Sequence, residues 1–164
     1  IEDYFGVYEK LRIKNSQIKF SSDFIIGYPG EEEKDFKETM KLIKKIKFIN
    51  SFSFLFSPRP GTVSSGLKLI DKQLLMNRLE ILQNELFVNQ NEMNKSLENN
   101  VINVLVENKT SEGNKFFGRS EYMTPVIFDG DKEDVGKIID VKIYRSNHNT
   151  LIGKKFQKSK QKVA

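Results

Sequence analysis

Apolar positions fall into two regimes along the chain. Up to about residue 96 they recur every three or four places, broken by two short uncharged runs. After Asn99-Asn100 they alternate with polar positions in short segments. The first regime predicts helices around two strands, the second a set of strands joined by turns. Tyr4, Val7, Tyr8 and Leu11 have helical spacing with no clear cap before them, so the chain is expected to open inside a helix that starts upstream. Ile18–Ile26 reads as a strand that runs into Gly27-Tyr28-Pro29-Gly30, and Glu31, Glu32 and Glu33 then open a helix. Carboxylates there meet the positive end of the helix dipole. Phe36, Met40, Ile43 and Ile46 give that helix one apolar face. Ile49–Phe56 follows as a second strand with no charged residue, as expected of a strand buried on both faces. Strand, helix and strand at this spacing predict a parallel βαβ unit. Asp71 is the expected N-cap of a long helix to about Asn94, with Leu75, Leu79, Leu82 and Leu86 as its core stripe.

Beyond residue 100, strands are expected at 101–107, 116–120, 126–128, 138–144 and 151–156. Glu112-Gly113-Asn114, Asp129-Gly130-Asp131 and Asn147-His148-Asn149 supply turns between them. Five short strands in so little chain predict a small closed barrel of the oligonucleotide-binding type. The domain reading is therefore 1–96, 97–156, and a basic tail, 157–164, expected to be disordered.

Charge sharpens this division. The net charge is +5 over 164 residues. Residues 1–100 hold 15 Lys and Arg against 14 Asp and Glu, and residues 101–164 hold 12 against 8. The surplus lies in the C-terminal part, where Lys154, Lys155, Lys158, Lys160 and Lys162 supply much of it, and points to a polyanion partner. The chain has no Cys and one His, His148, which is read as a loop residue. Disulfides, thiolate metal sites and His-rich metal sites within these residues are excluded. No apolar run is long enough to span a membrane.

The candidate chemistry sits in two places. Ser22, Asp23, Gly27 and Pro29 bracket the first strand, and Arg59 sits between Pro58 and Pro60 after the second. Polar strand ends can hydrogen-bond a ligand, glycine admits it to the backbone, and a guanidinium suits a phosphate, a carboxylate or the face of a base. Phe52, Phe54 and Phe56 alternate and are expected in the core. In the barrel, Lys115, Phe117, Arg119 and Tyr122 mix cations with aromatics around one strand, and Lys154 adds a cation near the end. This is the composition with which barrels bind RNA. Phe116 and Phe117 are adjacent, so only one of them can face outward.

The segment Ser22-Asp23-Phe24-Ile25-Ile26-Gly27-Tyr28-Pro29-Gly30-Glu31 resembles the fifth-strand segment of the radical-SAM methylthiotransferase family. Phe52-Ser53-Phe54-Leu55-Phe56-Ser57-Pro58-Arg59-Pro60-Gly61-Thr62 is similar to the sixth. Phe117-Gly118-Arg119-Ser120, Val135-Gly136-Lys137 and Asn149-Thr150-Leu151-Ile152-Gly153 resemble the family's C-terminal TRAM barrel. The resemblance implies an α/β fold: the C-terminal part of a partial (β/α) barrel of the radical-SAM type, followed by a small all-β, OB-like TRAM barrel. It implies S-adenosylmethionine near Ser22, Asp23, Gly27 and Pro29, substrate contact by Arg59, and RNA contact by Lys115, Phe117, Arg119, Tyr122 and Lys154. It also implies two 4Fe-4S clusters held by cysteines upstream, so this chain would ligate no metal and would be inactive alone. The partner would be the tRNA anticodon stem-loop, and the protein a cytoplasmic monomer. The Arg59-Pro60 pair points to the tRNA branch, which adds a methylthio group to C2 of an isopentenylated adenosine beside the anticodon. The branch acting on threonylcarbamoyl adenosine, and a non-catalytic RNA-binding module, stay open as alternatives.

Overall fold

A computed structural model describes residues 2–157. The expected basic tail lies, apart from Gln157, outside the described residues. The chain divides into two compact units, Ile1–Gln90 and Asn91–Ala164. That boundary falls within a helix, ahead of the expected boundary at 96/97.

The first unit holds α1 (Glu2–Lys14), β1 (Asp23–Ile26), α2 (Glu33–Ile46) and β2 (Phe52–Leu55), then a 3-10 turn (Val63–Gly66) and most of α3 (Lys72–Ser96). β1 and β2 are parallel, with Asp23 beside Phe52 and Ile25 beside Phe54. The parallel βαβ expectation thus holds. β1 is shorter than its apolar run because the Ser22 N–H donates to the Ser51 hydroxyl at 3.1 Å, and the ladder starts only at Asp23. α2 opens with the Glu32 N–H donating to the Asp35 carboxylate at 2.9 Å. It ends where Lys47 turns left-handed, at φ 57°. Asp71 caps α3 by accepting from the Leu74 N–H at 3.0 Å. Phe24, Ile26, Phe36, Ile43, Ile46, Phe48, Leu75, Leu82 and Leu86 form the core. Each such side chain stabilises by about 1.5–3 kcal/mol on burial.

One expectation fails here. β2 is half-buried on one face and open on the other, and Phe52 and Phe54 are 65% and 52% exposed. Their alternation with Ser53 and Leu55 sends them away from the helices, and none of this unit's described elements covers that side. An uncharged strand thus misled as to its second face. Phe52 and Phe54 are not core residues, while Phe56, just past the strand, is half-buried with its ring centroid 5.2 Å from that of Tyr28.

The second unit is a closed barrel in the order β3-β4-β5-β7-β6. Its strands are β3 (Val101–Lys109), β4 (Lys115–Ser120), β5 (Pro125–Asp129), β6 (Ile138–Ser146) and β7 (Leu151–Lys155), with a short 3-10 turn (Lys132–Asp134) before β6. β3 pairs with β6 to close the circle, and β5 with β7 is the parallel pair. Val104, Val106, Phe116, Val126, Phe128, Val141, Ile143 and Leu151 fill the interior and are essentially inaccessible. Gly118 and Gly153 are required by closeness. A Cβ on Gly118 would meet the Leu105 carbonyl oxygen, and one on Gly153 would lie 2.8 Å from the Lys142 carbonyl oxygen. Asn94, fully buried, donates to the carbonyls of Asn147 and His148 at 2.9 and 2.8 Å. Glu98 accepts from the Ser146 N–H and hydroxyl at 2.8 and 2.7 Å, so the β6–β7 turn that carries His148 is anchored from two sides.

Candidate strand-end site and nucleic-acid interface

In the first unit, β1 separates the sequence-derived candidates. Ser22 and Asp23 stand at its start, and Gly27 and Pro29 lie beyond its carboxyl end. Three residues, Phe24, Ile25 and Ile26, at about 3.3 Å each separate Asp23 from Gly27. The two pairs lie at opposite ends of the strand, because it is extended between them. Asp23 is exposed and shares a face with Ile25, Phe52 and Phe54, the last two stacked at 6.5 Å between ring centroids. Gly27 and Pro29 are buried. Gly27 has φ +84°, and a Cβ there would overlap the Leu75 side chain, so conformation and packing both demand glycine.

Glu31, together with a residue that pattern reading passed over, Arg78, holds this turn. The Gly27 N–H donates to Glu31 Oε2 at 2.8 Å. Arg78, almost completely buried on α3, donates to Glu31 Oε1 at 2.7 Å and to Glu33 Oε2 at 3.1 Å. Its guanidinium also lies 5.2 Å from the Phe36 ring centroid. The only sequence signal was an arginine inside the leucine stripe of α3, a place where cations are rare without partners. Arg59 is exposed on the turn after β2. The Arg59 carbonyl accepts from the Thr62 N–H and hydroxyl at 3.2 and 2.7 Å, which fixes the loop, and its guanidinium is in no ion pair among the described residues.

On the barrel, Phe116 points in and Phe117 out, as adjacency required. Lys115, Phe117 and Arg119 share the outer side of β4. Arg119 donates to the Glu107 carboxylate at 3.0 Å and stands 5.6 Å from the Phe117 ring centroid. A bulge in β3 between Val106 and Asn108 leaves Glu107 exposed beside it. Tyr122 lies in the turn after β4. Burial and the Glu121 carboxylate push its phenol above the usual 10.0, so it is neutral at pH 7. Lys154 is exposed on β7 with its ammonium 5.9 Å from the Tyr144 ring centroid.

Pairing carries the site further than sequence did. Lys115 lies beside Asp129, Asp129 beside Lys154, and Lys154 beside Lys142. In the next row, Phe117 lies beside Ile127 and Ile127 beside Ile152. A bulge in β6 between Ile143 and Arg145 interrupts alternation, so Tyr144 and Arg145 are both exposed. Lys142, Tyr144 and Arg145 were not selected from sequence, because only the parallel β5–β7 pair sets β6 and β7 beside β4 and β5, and the bulge exposes Tyr144 and Arg145 together.

Among the described residues, no group of three or more His, Cys, Asp or Glu side chains is placed to hold a metal. None of the described helices is long and apolar enough to cross a membrane.

Residues 95–156 match the TRAM domain family. Over all its 164 residues the chain is 62% identical to the tRNA-2-methylthio-N(6)-dimethylallyladenosine synthase of Pelagibacter ubique (strain HTCC1062), spanning 37% of that protein. Proteins of the same name from Vesicomyosocius okutanii subsp. Calyptogena okutanii (strain HA) and Wolbachia pipientis subsp. Culex pipiens (strain wPip) are 43% and 41% identical, over 92% and 93% of this chain. They are covered to 34% and 35% of their own lengths. The chain thus spans about a third of the curated relatives it matches. Its resemblance to the tRNA methylthiotransferases extends over its whole length.

Proposed function

We propose that the chain is the C-terminal part of a tRNA-modifying radical-SAM methylthiotransferase. The whole enzyme adds a methylthio group to C2 of N6-isopentenyladenosine next to the anticodon. The observation that carries this reading is the 62% identity, unbroken over the chain, to a synthase so named. The two 4Fe-4S clusters cannot be held here, since the chain has no cysteine. S-adenosylmethionine supplies a radical source when bound. The face of Ile25, Phe52 and Phe54 beside Asp23 suits a ligand that pairs an apolar ring with charged ends. Ser22 stands next to that face. Gly27 and Pro29 shape the turn at its far end, and the unpaired Arg59 meets substrate. The βαβ unit is the end of the partial barrel. The TRAM barrel grips the anticodon stem-loop, and the protein works as a cytoplasmic monomer.

The test is to express the complete reading frame in cells that lack the modification but hold the isopentenylated precursor, and to digest their tRNA for mass spectrometry. The expected product is 2-methylthio-N6-isopentenyladenosine. With cluster assembly verified, a threonylcarbamoyl product or no methylthio product overturns the reading.

A further inference from the structure

We infer that the barrel seats an unpaired stretch of RNA across β4, β5, β7 and β6, with Tyr144 and Phe117 stacking bases and Lys115, Lys154 and Lys142 meeting phosphates. This rests on the reading of the barrel as the tRNA-binding part and adds the face, the residues and the kind of RNA. The first support is register. Lys115, Asp129, Lys154 and Lys142 are successive neighbours across four strands. Three lysines against one aspartate thus run perpendicular to the strands over about 14 Å.

The second support is which cations are already neutralised. Arg119 is paired with Glu107 at 3.0 Å, and Lys155 with Asp134 and Asp131 at 2.7 and 3.1 Å. Lys115, Lys142 and Lys154 are in no ion pair among the described residues, and the Lys154 ammonium stands 5.9 Å from the Tyr144 ring centroid. Charge alone would rank all of these equally. Pairing leaves the lysine row as the part that releases counterions from a phosphate backbone.

The third support is the row beside it. Phe117, Ile127 and Ile152 are half-buried in a continuous apolar strip, and the β6 bulge stands Tyr144 out at 49% exposure next to Arg145. Flat apolar faces lined by cations suit splayed, unstacked bases. A duplex keeps its base faces inside and offers them nothing to stack.

Fluorescence anisotropy on the 164-residue chain tests this, with a fluorescein-labelled unstructured 12-nucleotide RNA and a duplex of the same length. The single strand is expected to bind more tightly. Tyr144→Ala is expected to weaken it about tenfold, and Tyr144→Phe, which keeps the ring, to restore wild-type affinity. Lys142→Ala with Lys154→Ala is expected to reduce the salt slope by about 1.4, at about 0.7 per phosphate on a single strand. Arg119→Gln is expected to change affinity less than twofold. Unchanged thermal melting of each variant excludes misfolding as the cause. If Arg119→Gln abolishes binding while the Tyr144 and lysine variants bind as wild type, the proposed face is wrong and the RNA-binding reading survives. Preference for the duplex also overturns the proposal. If the wild-type chain binds neither RNA, nor a labelled anticodon stem-loop, the underlying reading falls with it.

Discussion

The two units handle their hydrophobic residues in opposite ways. In the barrel every strand has a neighbour on both sides, and one face of each of the five strands packs into a filled interior, while Phe117, Ile127 and Ile152 line the outside. In the first unit the sheet has two strands. Phe24 and Ile26 pack on the helices while Ile25, Phe52 and Phe54, on the opposite face, stand more than half exposed. Closure therefore commits the barrel's inward apolar residues to stability and leaves its outside for binding. The open sheet keeps large apolar side chains that hold up nothing in its own unit, so they are free to meet a ligand or further chain.

The sharpest way to break that comparison is to remove one phenylalanine from each unit. Phe116→Ala empties a barrel interior in which Phe116 and Phe128 lie 6.4 Å apart between centroids. The expected cost is about 3–5 kcal/mol. Phe54→Ala removes a ring of similar size from the open face, and its effect is expected within about 0.5 kcal/mol. Hydrogen exchange read by mass spectrometry localises both changes: protection falls throughout 101–155 in the first variant and hardly anywhere in the second. Equal losses would mean that the open face is covered in solution.

Next in size is the buried arginine of the first unit. Arg78→Ala leaves the Glu31 carboxylate, mostly buried and holding the Gly27 N–H, without its cation. Breaking such a pair from one side costs about 3 kcal/mol, and an apolar replacement of similar volume costs less. Arg78→Met is therefore expected to retain more stability than Arg78→Ala. Exchange at the Gly27–Glu31 turn is expected to quicken while the barrel keeps its protection. A loss spread evenly over both units would show that they do not unfold separately.

These effects trace what the sequence could and could not tell. α2 and the barrel strands were legible because each has one wet and one dry side, and period reports that directly, whereas α1 buries no residue and its Tyr4, Val7 and Leu11 are exposed. The split of Phe116 from Phe117 followed from adjacency alone. The second face of β2 was not legible, since a run without charge looks the same whether covered or open. Arg78 was hidden because its partners are more than forty positions away, at Glu31 and Glu33. On the barrel, Lys115, Phe117 and Lys154 stood out by composition. Their company with Lys142 and Tyr144 depends on the parallel β5–β7 pair and on a bulge, which single-chain periodicity does not carry.

The smallest effect separates the units by pH. Lys155 on β7 donates to Asp134 at 2.7 and 2.8 Å and to Asp131 at 3.1 Å, tying the loop before β6 to the barrel wall. Burial pushes the Asp134 carboxyl up, but the Lys155 ammonium and the Asp131 N–H outweigh it and hold the group below the usual 3.8. Hydrogen bonds from Lys155 to Asp134 and Asp131 hold the ammonium above the usual 10.5. A carboxylate with a depressed folded value stabilises above its unfolded value, and that stability is lost as pH falls through the folded one. A cation with a raised folded value stabilises fully below its unfolded value and loses that stability as pH rises through the folded one. The pair therefore supports the barrel fully from just above pH 4 to about 10 and fades on both sides. Lys155→Met is expected to cost about 1 kcal/mol at pH 7. It is also expected to flatten the barrel's thermal stability against pH at the alkaline limb and reduce its fall below pH 4. A residual acid slope remains, because the Ser146 hydroxyl and N–H also hold Glu98 below its usual value. Circular-dichroism melts across that range decide the matter. An alkaline limb identical in wild type and variant would show that Lys155 is solvated rather than clamped, and that the barrel owes its closure to its interior alone.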